Sequence, residues 1–479
     1  MTTVIDAPLQ ATEEPRQEPP ASRRRGWGFQ RWDDTARRAR VLLMFVAFTL
    51  VVRGIALVAF DEGRQPVTVF EQLTGLGAYA WLGALPATVV GVVCWLLPRP
   101  QTRRRGGVRL DTEVSFRIVS RGRNAEAVNE TVLACRAAMD ARPLFPYRIE
   151  VVTDVPVALP EGDDVVAIVV PDDYQTATGA LYKARALEYA NEVSSLDDEG
   201  WVLHLDEESH PTSGVIGGIR DFIADCAEDG TPRIGQGCIL YHRQLRENTF
   251  LTLADSLRTG DDVSRFYVQY RAGISLFGMH GSFILVRADV SKRIGFDFGA
   301  EGSITEDAWW ALAQLEEGTH FGWVDGYVVE QAPQTVRDFV RQRRRWFSGL
   351  AKVASYAPAP WWSRLALVAF IGTWSLTMFG VLYSLTNFAL GLYTPPAVAW
   401  TAAACYSWYV TMYVEGLALN FRTLGGFSKL SQAKYYVLQV LLVPVFGLLE
   451  GAGVVYAVVR PERGFHVIDK PVTATAARA

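Results

Sequence analysis

Cysteine and net charge are the two features that this sequence has least of. Only five of its 479 residues are cysteine, and none of them forms a C-x-x-C pair. This argues against a zinc site built on paired cysteines and against a disulfide framework, and it fits a reducing compartment for the central region. The formal net charge is −4. The chain has no overall basic field of the kind that attracts nucleic acid, so we predict no nucleic-acid partner.

Apolar residues are abundant instead, and they concentrate towards the two ends of the chain. Hydrophobic residues make up 49% of the sequence. Several runs reach the roughly 20 residues that an α-helix needs to cross a bilayer. The five candidate spans are residues 41–60, 78–97, 365–390, 397–419 and 435–459. We therefore predict contact with a lipid bilayer, through a two-span hairpin over 39–98 and membrane helices over 363–460.

Charges beside the first two spans set their expected orientation. Arginines cluster before the first span and after the second, whereas the loop between the spans carries Asp61, Glu62 and Glu71 against Arg64. By the positive-inside rule, both outer ends of this hairpin are cytoplasmic. The sequence therefore predicts a multi-pass protein of the plasma membrane whose central domain lies in the cytosol.

The two termini and the last span are less regular. Residues 1–38 are rich in Pro, Glu, Gln, Arg and Ala and have no apolar period, which predicts a disordered tail. A second tail covers 461–479. Pro444 and Glu450 interrupt the last apolar run, so the sequence leaves open whether this run crosses the membrane once or forms a broken or re-entrant pair.

Strand-like and helical patterns alternate between the two apolar blocks. Over 104–350, runs such as SFRIVS, YRIEVVTD and WVLHLD alternate with amphipathic runs such as AEAVNETVLACRAAMDA. This alternation predicts an α/β domain with a mainly parallel sheet, in which ligands bind at the carboxyl ends of the strands. A basic amphipathic helix, predicted over 335–362, would connect this domain to the membrane block.

Acidic residues follow two of the predicted strands. Asp154 ends VVTD, and Asp206 and Glu208 belong to the stretch WVLHLDEESH. Two carboxylates separated by one residue can hold a hard divalent cation, with phosphate oxygens and water in the other positions. The alternative is a solvated acidic turn. The apolar strand that precedes the acids favours the metal, which we predict to be Mg²⁺ or Mn²⁺ on Asp206 and Glu208.

The stretch SITEDAWW places two acids before two tryptophans at the start of a helix. Glu306 and Asp307 can simply favour the helix dipole, with Thr305 as the N-cap. In the functional interpretation, Glu306 and Asp307 form the catalytic pair, and Asp307 is the general base. This base would lie near a sugar ring that stacks on Trp309 or Trp310. Either tryptophan can equally belong to the core.

Cationic residues form the last two candidates. In VRDFVRQRRRWFSGL, a basic helix on the inner leaflet is one interpretation, and the other turns Gln342 and Arg345 towards a diphosphate, with Trp346 beside the acceptor. In TATGALYKARALEYA, Lys183 is either a surface lysine or a partner for phosphate or for the acids. A leaving diphosphate needs positive charge, so both cationic segments complement the acidic motifs.

These motifs, in this order, resemble glycosyltransferase family 2, the inverting GT-A-fold family. The segments RIVSRG, VVTD, TGALYKARAL, HLDEES, EDAWWA and QRRRWFSG are similar to those of its egghead-type β-1,4-mannosyltransferases. The resemblance implies an α/β GT-A domain with a Rossmann-like mixed sheet in the cytosol and an α-helical transmembrane bundle. The sequence departs from the wider family where the D-x-D turn is Asp-Glu-Glu.

The resemblance also implies roles for the candidate residues. Donor contacts fall on Asp154, Lys183, Asp206, Gln342, Arg345 and Trp346. Acceptor contacts fall on Trp309 and Trp346. The metal falls on Asp206 and Glu208, and the base is Asp307.

The reaction implied is transfer of a hexose, with mannose favoured, from a nucleotide sugar to a lipid-linked or glycan acceptor with a β linkage. GDP-mannose is the favoured donor and UDP-glucose the second. The alternative is a processive polysaccharide synthase that extrudes a β-glycan, and product length would separate the two. A scaffold with an inactive domain is a third interpretation, which the presence of Asp206, Glu208, Asp307 and Trp346 disfavours.

Overall fold

A computed structural model describes residues 26–59, 64–97 and 108–462. The tail residues 1–25 and 463–479, Asp61 and Glu62 therefore lie outside the described residues. The helices are α1 Gly26–Ala59, α2 Val69–Gly77, α3 Leu85–Leu96, α4 Ala125–Ala141, α5 Tyr182–Val193, α6 Ser213–Asp229, α7 Thr249–Asp261, α8 Tyr267–Arg271, α9 Ala288–Ile294, α10 Gly299–Gly302, α11 Glu306–Glu316, α12 Val336–Tyr356, α13 Trp361–Leu390, α14 Pro396–Thr423 and α15 Lys429–Val459. The strands are β1 Val114–Ser120, β2 Tyr147–Thr153, β3 Val165–Val169, β4 Trp201–Asp206, β5 His210–Pro211, β6 Arg233–Leu240, β7 Ile284–Arg287 and β8 His320–Val329.

The strands form one mixed sheet in the order β3-β2-β1-β4-β7-β6-β8-β5. β3, β2, β1 and β4 run parallel, whereas β7 is antiparallel to both β4 and β6. The α/β prediction is confirmed, with β7 reversing the direction at the middle of the sheet. Because β1 lies between β2 and β4, the carboxyl ends of these three strands meet at one edge.

Helices cover both faces of this sheet, as the fully buried β1 requires. Phe116 and Ile118 pack on one side with apolar residues of α4 and α6, such as Val132 and Ile219. Val119 packs on the other side, in a cluster to which α5 and α11 contribute. Alternate residues of one strand thus enter different cores, which fixes the register of the edge that carries the acids.

Four helical segments in the described part of the chain are long and apolar enough to cross a membrane. They are Thr35–Val58, Val69–Leu96, Trp361–Leu390 and Lys429–Val459. The second is longer than predicted, because α2 and a 3₁₀ turn precede α3. The last is the single helix α15 with Pro444 inside it, so of the two alternatives that the sequence left open the structure has the unbroken helix.

Helix α1 begins at Gly26, inside the segment predicted to be a tail. Ion pairs hold its first described side chains. Arg37 Nε and Arg40 Nη2 each lie 2.6 Å from a carboxylate oxygen of Glu415 on α14, and Arg38 donates to the Trp95 carbonyl at the end of α3. These contacts extend the helix beyond its apolar stretch.

The remaining predicted span, 397–419, forms α14, which is not among the four apolar segments. This helix packs against α7 of the α/β domain, and glycines allow their backbones to touch. A Cβ on Gly416 would lie 1.8 Å from the Ser256 carbonyl oxygen, and one on Gly260 would lie 2.2 Å from the Met412 carbonyl oxygen. The α/β domain and the helical bundle therefore meet in a tight joint.

We expect Gly416→Ala to destabilise the folded protein by about 1–3 kcal/mol, because overpacking at this crossing forces two backbones apart. The measurement is thermal unfolding of the purified protein in detergent. Gly372→Ala on α13 is the matched control, since no heavy atom lies within 4 Å of its added Cβ. Equal melting temperatures for the two variants would contradict a tight joint.

Candidate active site

A cavity of about 450 Å³ begins at the carboxyl edge of the sheet and continues between the apolar helices. Its lining includes most of the predicted site residues. These are Asp154, Lys183, Asp206, Glu208, Glu306, Asp307, Gln342, Arg345 and Trp346. The structure thus brings together segments that lie far apart in the sequence.

Asp154 and Asp206 flank the end of β1. Asp154 follows β2 and Asp206 ends β4, and both strands are parallel to β1. Asp154 is already engaged, because Arg185 Nη2 donates to its Oδ1 at 2.9 Å and Arg121 Nε lies 3.9 Å from its Oδ2. Any contact of Asp154 with a nucleotide therefore shares this carboxylate with the two arginines.

Lys183 is the cation between the two acidic motifs. Its Nζ donates to Asp206 Oδ1, donates to the Gly281 carbonyl at 3.1 Å and lies 3.6 Å from Glu306 Oε1. Burial disfavours the charged ammonium, but the carboxylates of Asp206 and Glu306 outweigh it and raise the pKa of Lys183. The ammonium stays charged and offsets the repulsion between these acids.

The start of α11 delivers the predicted catalytic pair to the cavity. Asp307 Oδ1 accepts a hydrogen bond from the Ala308 amide at 2.8 Å, so the carboxylate itself satisfies a free N–H of the first turn. Thr305, in the N-cap position, makes no capping bond through its side chain. The capping interpretation and the catalytic one therefore apply to the same residue, Asp307.

Burial and, after it, the charge of the neighbouring Asp307 raise the pKa of Glu306 to about 7, while Lys183 and Arg345 oppose the shift. Between the ordinary pKa of 4.5 and about 7, the folded chain keeps a proton that the unfolded chain loses. The contribution of Glu306 to stability therefore falls as the pH rises through this window.

We expect the pH profile of kcat to rise through pH 7 because of Glu306. Above its pKa of about 7, its carboxylate adds negative charge beside Asp307 and favours transfer of a proton onto the pair. Glu306→Gln is neutral at every pH and should lack this inflection. The measurement is kcat against pH for both proteins. An unchanged inflection in Glu306→Gln would assign it to another group.

The three consecutive arginines of α12 have three different environments. Arg343 is buried and pairs with Asp255 and Glu450. Arg344 lies 2.9 Å from Glu462. Arg345 lies near the predicted site acids: burial lowers its pKa, and Glu306, Asp307 and Asp206 oppose that shift. Arg343 is thus buried in protein rather than at a membrane surface, and the donor contact of Arg345 stays a prediction.

The two tryptophans of SITEDAWW lie in the core. Trp309 is 7% exposed and packs with Leu312 and Val353, while Trp310 stacks on Phe296 with ring centroids 5.4 Å apart. Neither lines the cavity. The structure thus places Trp309 with the core alternative rather than beside an acceptor, whereas Trp346 does border the cavity.

The metal prediction can be compared with the donor set. Among the described residues, no group of three or more His, Cys, Asp or Glu side chains could hold a metal ion. Asp206 and Glu208 nevertheless line the same cavity and supply two carboxylates. Mg²⁺ is commonly bound by one or two carboxylates together with substrate phosphates and water. The residues present therefore fit a cation that arrives with a diphosphate, not one held by protein alone.

Sequence reasoning missed residues that support the site from the GMHGSF loop. A Cβ on Gly281 would lie 2.8 Å from Lys183 Nζ and 3.1 Å from Asp307 Oδ2, so only glycine leaves room for both. His280 Nε2 lies 2.8 Å from Asp262 Oδ1, in a π-helical turn after α7. His280 lines the cavity, but no pattern in the sequence around it indicates that Asp262 is its partner.

Comparisons with known proteins identify relatives of this chain. The family described as "Glycosyl transferase family group 2" matches residues 201–417. "Beta-1,4-mannosyltransferase egh" of Drosophila melanogaster is 31% identical, over 77% of this chain and 80% of that protein. "Beta-1,4-mannosyltransferase bre-3" of Caenorhabditis elegans is 29% identical, over 78% of this chain and 82% of that protein. A solved structure of mannosyltransferase PcManGT from Pyrobaculum calidifontis, in complex with GDP-Man and Mn²⁺, has a TM-score of 0.43 at 13% identity, covering 81% of this chain and 100% of that one.

The chain is a glycosyltransferase, as the acids at the sheet edge and the arginine helix predicted. It belongs to glycosyltransferase family 2, and its relatives include the egghead-type β-1,4-mannosyltransferases. The predicted fold class, an α/β GT-A domain beside a bundle of apolar helices, is confirmed.

Proposed function

We propose that this glycosyltransferase inverts configuration and moves mannose from GDP-mannose to a lipid-linked or glycan acceptor, forming a β linkage. The choice of sugar is supported by the relatives from fly and nematode, both named β-1,4-mannosyltransferases. UDP-glucose is the alternative donor. The site residues supply the acid, base and cationic groups that this transfer requires.

The continuity of the cavity carries the proposal. One end holds Asp307 and Arg345, and the other is lined by residues of the apolar helices α3 and α13, such as Thr88 and Thr373, and by Trp408 of α14. An acceptor whose apolar part lies among these helices can present its hydroxyl to Asp307 from that end of the cavity. This arrangement supports a lipid-linked acceptor and a catalytic domain on the cytosolic face of the plasma membrane.

The reaction follows from the positions of the charged groups. Asp307 accepts the proton of the acceptor hydroxyl, whose oxygen bonds to the anomeric carbon while the bond to the diphosphate oxygen breaks on the opposite face. The configuration inverts and the diphosphate leaves with its electron pair. Arg345 and Lys183 bring positive charge to this end of the cavity, where it stabilises the leaving group.

A divalent cation would be held by Asp206 and Glu208, and it would neutralise charge on the diphosphate. Lys183 already pairs with Asp206, so the protein's own ammonium lies beside the proposed cation position. Mg²⁺ and Mn²⁺ both suit a set of carboxylate oxygens.

The processive alternative uses the same residues and differs in its product. A synthase would extend one chain through the helices, whereas a single transfer ends after one sugar. The end of the cavity among the helices is lined by polar groups of Trp81, Tyr409 and Glu450 as well as by apolar residues, so its lining favours neither product. Product length is therefore the measurement that separates them.

The test uses the full chain purified in detergent. Nucleoside diphosphate release is measured from GDP-mannose, UDP-glucose and UDP-N-acetylglucosamine, with and without Mg²⁺ or Mn²⁺, and with a β-glucosyl lipid as acceptor. We expect release from GDP-mannose that requires metal and acceptor, and a lipid product larger by one hexose in mass spectrometry. Transfer from a UDP-sugar alone would overturn the choice of donor, and long products would favour the synthase.

A further inference from the structure

We propose that Arg343 is a positioning residue: Glu450 of α15 and Asp255 of α7 hold it, and it in turn orients Gln342 and Trp346 at the donor site. The inference rests on the proposed function, because it takes Gln342 and Trp346 as donor contacts. It adds a link from a membrane helix to the catalytic motif of α12.

Arg343 uses each nitrogen of its guanidinium on a different acceptor. Nε lies 2.8 Å from Glu450 Oε1, Nη2 lies 2.5 Å from Asp255 Oδ1, and Nη1 lies 2.5 Å from Gln342 Oε1. The side chains of Arg343 and Asp255 are 1% and 0% exposed, and that of Glu450 is 8% exposed. Three acceptors from three helices thus fix this group in both position and rotation.

The contact with Gln342 determines how its amide is turned. A guanidinium has only donors, so the amide oxygen of Gln342 must face Arg343. The amide NH₂ group is then left available to the cavity that Gln342 lines. A donor in this place suits the oxygens of a diphosphate, whereas a reversed amide would present an acceptor and repel them.

Trp346 is held in the same way. Its ring contacts two guanidinium groups, with Arg343 Cζ 4.7 Å and Arg258 Cζ 4.5 Å from the ring centroid. Cation–π contacts with these two arginines restrict the ring that borders the cavity. Two arginines thus accompany the two acids Asp255 and Glu450, so this cluster is balanced in charge.

Stability alone is a weak explanation for this cluster. Buried ion pairs often contribute little, because desolvation offsets their attraction, and apolar side chains of similar size can replace them. Glu450 also accepts a hydrogen bond from Trp374 Nε1 at 3.1 Å, so its orientation is set by α13 as well. The geometry is specific in direction, which is what an orienting role needs.

The test is a double-mutant cycle with Arg343→Lys and Gln342→Leu. Lysine keeps the charge but cannot reach three separate acceptors, so we expect KM for the donor to rise on the order of tenfold with kcat little changed. If Arg343 acts in part through Gln342, the rise in KM for the double variant should be smaller than the product of the rises for the two single variants. Arg344→Lys, on the same helix, is the matched control and should leave KM unchanged.

Thermal unfolding of every variant separates orientation from folding. Additive effects of Arg343→Lys and Gln342→Leu on KM would overturn the inference, as would a KM for Arg343→Lys equal to that of the wild type. If Arg343→Lys does not fold, Glu450→Gln replaces it in the same cycle with the same criteria. Failure of the wild type to use any donor overturns the proposed function instead, so the two failures are distinguishable.

Discussion

Asp307→Asn should lower kcat by about 10²- to 10⁴-fold, the usual contribution of a general base. Asparagine keeps the size of the side chain and can still accept the hydrogen bond from the Ala308 amide, so the first turn of α11 should persist. The amide cannot take a proton from the acceptor hydroxyl. Donor binding should change little, because the donor contacts proposed for Lys183 and Arg345 remain.

The control for Asp307→Asn is the same change at an aspartate in the first turn of another helix. Asp338 lies in the first turn of α12, is half-buried and accepts a hydrogen bond from the Thr335 hydroxyl. Asp338→Asn should retain the wild-type kcat. Steady-state transfer and binding of nucleoside diphosphate are measured for both variants. If Asp307→Asn turns over within a few-fold of the wild type, the base is another residue.

Lys183→Met should lower kcat/KM by about 10²- to 10³-fold, as does removal of one preorganised electrostatic stabiliser in other enzymes. The ammonium separates Asp206 from Glu306, and methionine would leave these carboxylates facing each other without it. The pKa of Glu306, about 7 in the wild type, should rise further because Lys183 is one of the groups that lower it. The inflection in the pH profile should shift upwards with it.

Lys292→Met is the control for this change. Lys292 on α9 also forms an ion pair, with Asp198 at 2.8 Å, but at the surface and away from the cavity. Its loss should affect neither kcat/KM nor the pH profile, because exposed pairs contribute little. Equal activity of Lys183→Met and the wild type would show that the cation is not needed for the transfer.

The sequence predicts the acidic edge and the catalytic helix well, because each depends on a local pattern. Asp206 follows an apolar strand and Asp307 opens an amphipathic helix, and both reach the cavity. Tertiary partners are different. Arg343 meets Asp255 and Glu450 at sequence separations of 88 and 107 residues, and no periodicity in α12 distinguishes it from Arg344.

Hydropathy alone also does not show whether an apolar helix faces lipid or packs against protein. The run at 397–419 has the length of a membrane span, yet in α14 residues such as Thr411, Glu415 and Asn420 are buried against protein. Trp309 is a second example, because a tryptophan beside the predicted catalytic acids can stack on a sugar or belong to the core. Packing decides such cases, and packing depends on the whole chain.

The contact between Gly260 and Gly416 sets the height of Asp307 relative to the helices that suit a bilayer. With two backbones in contact, the catalytic domain has little freedom to rise or tilt over those helices. An acceptor anchored in the same bilayer then reacts only if its headgroup carries the hydroxyl to that height. The enzyme would thus select acceptors by the distance between their lipid anchor and their reacting hydroxyl, before any contact with the sugar itself.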